Sequence, residues 1–163
     1  MSTISQSTLP IEKLRARLSI NLPPAASEDV LAGVRQQLNS YLLRYSYDFR
    51  GVVISYEDER VMTKQARVLS YFPYFQVSVS VTLAVFKPIA GGRIAGEVNQ
   101  VGDDYIGLLV MGVFNASIAA SNMGGRFTLQ GDHWRCSSDA SHTIEVGTLV
   151  CFVVEGVHEA GEF

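Results

Sequence analysis

Two segments of strict period-two alternation constrain this 163-residue chain more than anything else in it. From Gln76 to Phe86, Val77, Val79, Val81, Leu83 and Val85 alternate with Ser78, Ser80, Thr82 and Ala84. From Lys13 to Leu22, Leu14, Ala16, Leu18, Ile20 and Leu22 alternate with Lys13, Arg15, Arg17, Ser19 and Asn21. Successive side chains of a strand point to opposite faces, so each segment predicts a strand with one apolar and one polar face. Two such strands need a sheet to pair in and a second layer to cover the apolar face.

The segment between them supplies that layer. Pro23-Pro24 ends the first strand, because proline has no N–H to give to a ladder. Ser27 is then the expected helix N-cap, with Glu28 and Asp29 at the positive end of the dipole. Val30, Leu31, Val34, Leu38, Tyr41, Leu42 and Tyr45 recur at helical spacing as one apolar stripe, which predicts core rather than a partner groove. Gly33 weakens the helix slightly and permits close approach to a sheet. Val52–Tyr56 is a β-branched strand, Glu57–Gln65 a charged loop, Ala66–Ser70 a further strand and Tyr71–Phe75 an aromatic turn. The expectation is a flexible N-terminal arm over residues 1–12, then an α+β module over 13–87, one helix on an antiparallel sheet.

Lys87-Pro88 breaks the pattern. Strands are expected at Arg93–Val101, Tyr105–Val113 and Ala116–Ile118, with turns at Gly91-Gly92 and Gly102-Asp103-Asp104. Gly124–Ser141 has no clear period and reads as a long loop, and Ile144–Val157 is apolar and β-branched. Several short strands around a long loop predict an all-β OB-fold barrel over residues 88–163.

Charge divides at the same place. Residues 1–87 carry ten Lys or Arg against seven Asp or Glu, and residues 88–163 carry three Arg against nine Asp or Glu. The second half is thus a poor match for a phosphate backbone, although OB-folds often bind single strands. It holds Tyr105, Phe114, Phe127, Trp134, Phe152 and Phe163, of which Phe114 and Phe152 sit in apolar runs and read as core. No apolar run reaches the length of a membrane span, and the polar Met1–Pro10 does not read as a secretory leader. Two cysteines, Cys136 and Cys151, are too few for a disulfide scaffold and fit a reducing, intracellular setting.

A search for catalytic constellations yields none. His133, Cys136, His142 and Cys151 match no zinc-ligand spacing and include no Cys-x-x-Cys pair. There is no Gly-x-Ser-x-Gly and no phosphate-binding glycine loop, and Met123-Gly124-Gly125-Arg126 is only a turn candidate. Asp103-Asp104 reads as a turn rather than a metal pair, and Asn115-Ala116-Ser117 as an accidental glycosylation match. No catalytic, metal-binding or cofactor-binding residue is expected.

Two stretches go beyond fold class. Leu38-Asn39-Ser40-Tyr41-Leu42-Leu43-Arg44-Tyr45 runs on to Gly51-Val52-Val53-Ile54-Ser55-Tyr56, and Ile106–Ile118 contains Phe114-Asn115-Ala116-Ser117-Ile118. With Leu22-Pro23-Pro24 and Pro73-Tyr74-Phe75, they resemble the larger stalk subunit of eukaryotic RNA polymerase I over roughly residues 13–160. The resemblance implies an N-terminal tip domain that docks on the polymerase core and an OB domain that projects outward. It implies a non-catalytic role in the nucleus and nucleolus. The implied partners are the polymerase I core subunits, a smaller stalk subunit where present, the polymerase I initiation factor and, weakly, nascent RNA. The family has one more barrel strand beyond the point matching Phe163, so the OB domain is expected to lack its last strand.

A docking tip presents apolar groups at one end of its module. The resemblance therefore marks Val61, Met62, Phe72, Tyr74 and Phe75, with Tyr71 beside them, as the candidate core-docking interface. The competing reading is that these side chains close the module's own core. Stalk subunits of the other nuclear polymerases, a free-standing single-strand RNA binder and a small enzyme using the His/Cys loop are the alternative functions.

Overall fold

The computed structural model describes residues 9–68 and 70–158. Within it, contacts cluster into two units, Pro10–Ile89 and Ala90–Gly156.

In the first unit, β1 (Ile11–Leu22) and β5 (Phe75–Phe86) run antiparallel in register from Ile11 against Phe86 to Leu22 against Phe75. The alternation works as expected. Val77, Val79, Val81, Leu83 and Val85 are buried with Ala16, Ile20 and Leu22 on one face, while Arg15 and Arg17 stand opposite Thr82 and Ser80 on the other. Strand β2 (Tyr45–Ser46) pairs with β3 (Gly51–Val61), and β3 pairs with β5, giving the order β1-β5-β3-β2; β4 (Arg67–Val68) also pairs with β5. Residues 11 and 12, expected in the arm, belong to β1, and residues 1–8 lie outside the described residues.

The single α-helix among the described residues, α1 (Val30–Asn39), packs Val34 and Leu38 into this core. Its cap is Asp29, whose Oδ1 accepts from the Ala32 N–H at 3.0 Å, not Ser27, which ends a 3-10 turn over Pro24–Ser27. A proline-led turn cannot place Ser27 at the helix mouth, so the acidic residue two positions nearer takes the role. The helix is also shorter than its stripe. Leu43 adopts φ 58 and its N–H is taken by the Val53 carbonyl at 2.8 Å, so the chain leaves the helix to join β3. Leu42 still packs on the core, whereas Tyr41 and Tyr45 are exposed.

Residues Glu57–Val61, expected in a charged loop, continue β3 instead. The ladder shifts register between Glu57 and Arg60, with Asp58 at φ 60. Arg15 spans the polar face below this bulge, donating to Ser80 Oγ at 3.0 Å, Thr82 Oγ1 at 3.1 Å and Asp58 Oδ2 at 3.1 Å. An acidic residue in a bulge hides the strand from a reading that relies on alternation alone.

The second unit holds a four-stranded antiparallel sheet, β12-β6-β7-β8, made of β6 (Arg93–Val101), β7 (Tyr105–Val110), β8 (Phe114–Ala119) and β12 (Leu149–Val153). It also holds a three-stranded sheet, β11-β10-β9, of β9 (Phe127–Gln130), β10 (His133–Cys136) and β11 (Thr143–Ile144). The supposed loop over Gly124–Ser141 thus contains a hairpin. Its strands are four residues each, too short to show a period, and Gly131 at φ 70 makes the turn. The strand expected to run to Val113 ends at Val110, where Met111 (φ 55) and Gly112 (φ 72) form a tight turn, and β8 starts at Phe114 rather than Ala116. Val98, Ile106, Leu108, Trp134 and Ile144 form the core, and the Trp134 indole N–H donates to the Gly102 carbonyl at 3.2 Å.

Strand β12 pairs with β6 alone among the described residues. Val154 bonds Gly91 and Gly92, and the Thr148 carbonyl accepts from Val98, so both turn their backbone groups toward β6. By the antiparallel alternation, Leu149, Cys151 and Val153 turn theirs to the open edge.

Candidate docking surface

Strand β5 has two edges. Strand β1 occupies one along its full length, so β3 and β4 share the other. Strand β3 pairs with β5 as far as Val61 opposite Val79, and the Met62 N–H then donates to the Ser78 carbonyl at 2.8 Å. Thr63 Oγ1 accepts from the Ser78 N–H at 2.6 Å and pins the departing chain. The chain swings out and returns as β4, where Val68 stands opposite Phe75. Residues 69–74 connect β4 to β5. This end of the sheet therefore gathers every residue marked for docking.

The gathered residues divide into two groups. Val61 and Phe75 are half-buried and pack on the module's own core, which is the competing reading for those two. Met62, Phe72 and Tyr74 are exposed, at 51%, 64% and 43%. Tyr71 is fully exposed and sits at φ 70, a left-handed conformation that a bulky side chain adopts only at a cost. Val68, at 77% exposure, joins the surface, and a two-residue strand carries no alternation from which to read it.

Behind this surface lies an open groove of about 520 Å³ within the same unit. The first turn of α1 lines it with Val30 and Leu31, β3 with Glu59, Arg60 and Val61, β5 with Phe75 and Val77, and the connecting loop with Thr63, Lys64 and Ala66. Glu59 accepts from Arg35 Nε at 2.6 Å, and that hydrogen bond holds its carboxyl below the ordinary glutamate range. Asp58 is likewise held low, first by its hydrogen bond from Arg15 and then by Arg60.

Among the described residues, the titratable groups of the second unit form no comparable cluster. His133 Nδ1 lies 3.0 Å from Asp132 Oδ1, Cys136 Sγ lies 3.2 Å from Ser138 Oγ, and His142 stacks edge-on against Phe127. Cys151 is exposed on β12. Among the described residues no three His, Cys, Asp or Glu gather as a metal site, and no helix is long and apolar enough to cross a membrane.

A family model described as the RPA43 OB domain in RNA polymerase I matches residues 88–149. A Dictyostelium discoideum protein named as a probable DNA-directed RNA polymerase I subunit RPA43 is 31% identical over 144 residues, 88% of this chain and 40% of the relative. The RPA43 subunit of Danio rerio is 31% identical over 121 residues, 74% of this chain and 30% of the relative. That of Schizosaccharomyces pombe is 29% identical over 161 residues, 94% of this chain and 92% of the relative.

Residues 88–149 match the RPA43 OB domain, and the chain is similar to RPA43 proteins along most of its length.

The unit built on β6–β12 is accordingly an RPA43-type OB domain, and its antiparallel sheets agree with the expected barrel class. The relatives are named as subunits of RNA polymerase I, not as enzymes acting alone, and the larger-stalk-subunit resemblance holds. This chain spans less than half the length of the slime-mould and zebrafish RPA43 proteins.

Proposed function

We propose that this chain is a non-catalytic stalk subunit of nuclear RNA polymerase I. It docks on the polymerase core through the end of its first sheet, with Met62, Phe72 and Tyr74 as exposed contacts and Val61 and Phe75 as their support. From that position it supports rRNA transcription initiation in the nucleolus by binding the polymerase I initiation factor. A smaller stalk subunit, where present, and weak contact with nascent RNA complete its partners.

The observation that carries this reading is the match to proteins named as polymerase I subunits along 88% of the chain in one relative and 94% in another. The exposed aromatic turn supports it physically, because rings left in water at one end of a module gain free energy only when a partner covers them. The test is recovery of tagged full chain from nuclear extract, followed by mass spectrometry. The large polymerase I subunits are expected in stoichiometric amount; their absence sinks the proposal.

A further inference from the structure

The groove beside the aromatic turn is not used up by the candidate docking residues. Its floor is apolar, made by Val30, Leu31, Val61, Phe75 and Val77. Its size, about 520 Å³, lies in the range of pockets that bury a whole side chain and its neighbours. The connection beside it is tied to β5 at Ser78 by two hydrogen bonds, from the Met62 N–H to the Ser78 carbonyl and from the Ser78 N–H to Thr63 Oγ1. Val61 and Phe75 lie in the groove and are bonded in sequence to the exposed Met62 and Tyr74, so groove and aromatic turn form one continuous surface.

The charges at its edge are unequal. Glu59 is held by Arg35, and Arg60 shares Asp58 with Arg15. Lys64 at the rim and Arg67 on the neighbouring β4 are exposed and have no ion-pair partner among the described residues. The charge left unmatched is therefore positive. A buried apolar anchor with carboxylates beside it would satisfy floor and rim together.

We propose that this groove receives an acidic segment of the polymerase core that carries one large apolar side chain. The inference rests on the docking reading and names the chemistry of the partner at that site. Two variants separate its parts. Ala66→Trp fills the groove from its exposed wall, and Lys64→Glu with Arg67→Glu reverses the rim without touching the core of the unit.

The probe is purified RNA polymerase I core lacking this subunit, titrated with full chain at low and moderate salt. Ala66→Trp is expected to weaken binding at least about tenfold at every salt concentration, as loss of one anchor does. The rim reversal is expected to weaken it about tenfold or more at low salt and to flatten the salt dependence, as loss of rim charge does. Thermal unfolding checks that both variants fold; should Ala66→Trp not fold, the rim variant decides.

Wild-type affinity in the rim variant, with weakened binding in Phe72→Ala, overturns the groove while leaving docking intact. No binding by the wild-type chain overturns docking and groove together. If the variants instead lose only self-association, or only affinity for a single-stranded RNA oligonucleotide, the proposed occupant is wrong.

Discussion

Replacing Tyr71 by glycine should make the chain no less stable and its docking much weaker. Tyr71 is fully exposed, so its ring contributes no burial to the fold. It sits at φ 70, where an L side chain costs roughly 1–2 kcal/mol. Glycine removes that cost and adds about 0.5–1 kcal/mol of backbone entropy loss. The net effect is roughly 0–1.5 kcal/mol in favour of the folded state. That corresponds to a melting temperature unchanged or raised by a few degrees for a chain of this size.

Docking moves the other way. Covering a ring that is wholly in water gains about 1.5–3 kcal/mol, so its loss weakens binding by roughly 10- to 150-fold. Differential scanning calorimetry and titration against stalk-free polymerase core read the two effects separately. Phe72→Ala is the companion, with about two-thirds of its side chain still to be buried. The reasoning fails if Tyr71→Gly destabilises the chain by more than about 1 kcal/mol, which would make the ring core. It fails equally if the variant binds the polymerase core like wild type.

Gly51→Ala should destabilise by about 1–3 kcal/mol in urea denaturation, because the new Cβ would lie 2.6 Å from the Phe86 carbonyl oxygen and 2.7 Å from Val85 Cγ1. Acid should weaken the first unit: Glu59 and Asp58 have folded pKa values below their unfolded ones, so their stabilisation is present above the unfolded value of about 4 and is lost as pH falls through the folded values. Arg35→Met should flatten that loss in urea midpoints taken between pH 6 and pH 3. Cys151→Lys should lower light scattering by concentrated chain with little change in unfolding midpoint, because it places a charge on an uncharged open edge strand. Single-stranded RNA should bind the chain with a shallow salt slope; a slope steeper than about −2 in log K against log salt would exceed what the three arginines of the acidic half can supply.

The readable parts of the fold are those where one face of an element is uniformly buried. One face is buried from Val77 to Val85 and is buried or half-buried from Leu14 to Leu22, so burial and sequence share one period. The helix showed its buried face through Val34 and Leu38, but not its end, because the Leu43–Val53 hydrogen bond that ends it is a tertiary contact. The strand pattern of β3 stops being legible at Tyr56 because its outer half carries Glu57, Asp58, Glu59 and Arg60, whose partners Lys13, Arg15 and Arg35 lie far away in sequence. Charge there marks cross-strand and helix pairing, not a loop. The candidate docking residues are legible as types and as an approximate place in the chain. Which of them face water was invisible, since Phe72 and Phe75 differ only in which follows the turn.

The OB domain shows why architecture alone does not assign a ligand. A single-strand platform requires rings standing free on the sheet. In this domain Trp134 is buried and hydrogen-bonded to the Gly102 carbonyl, and Phe127 and Phe152 pack against the core of Val98, Ile106 and Leu108. The rings are used to close a small unit whose strands are only two to nine residues long. Its arginines are few and its carboxylates many. Among the described residues the exposed rings are instead on the first unit, and Tyr71, Phe72 and Tyr74 stand beside a cation-rimmed groove. The surface chemistry of the chain therefore favours protein contact at its basic half over nucleic-acid contact at its barrel.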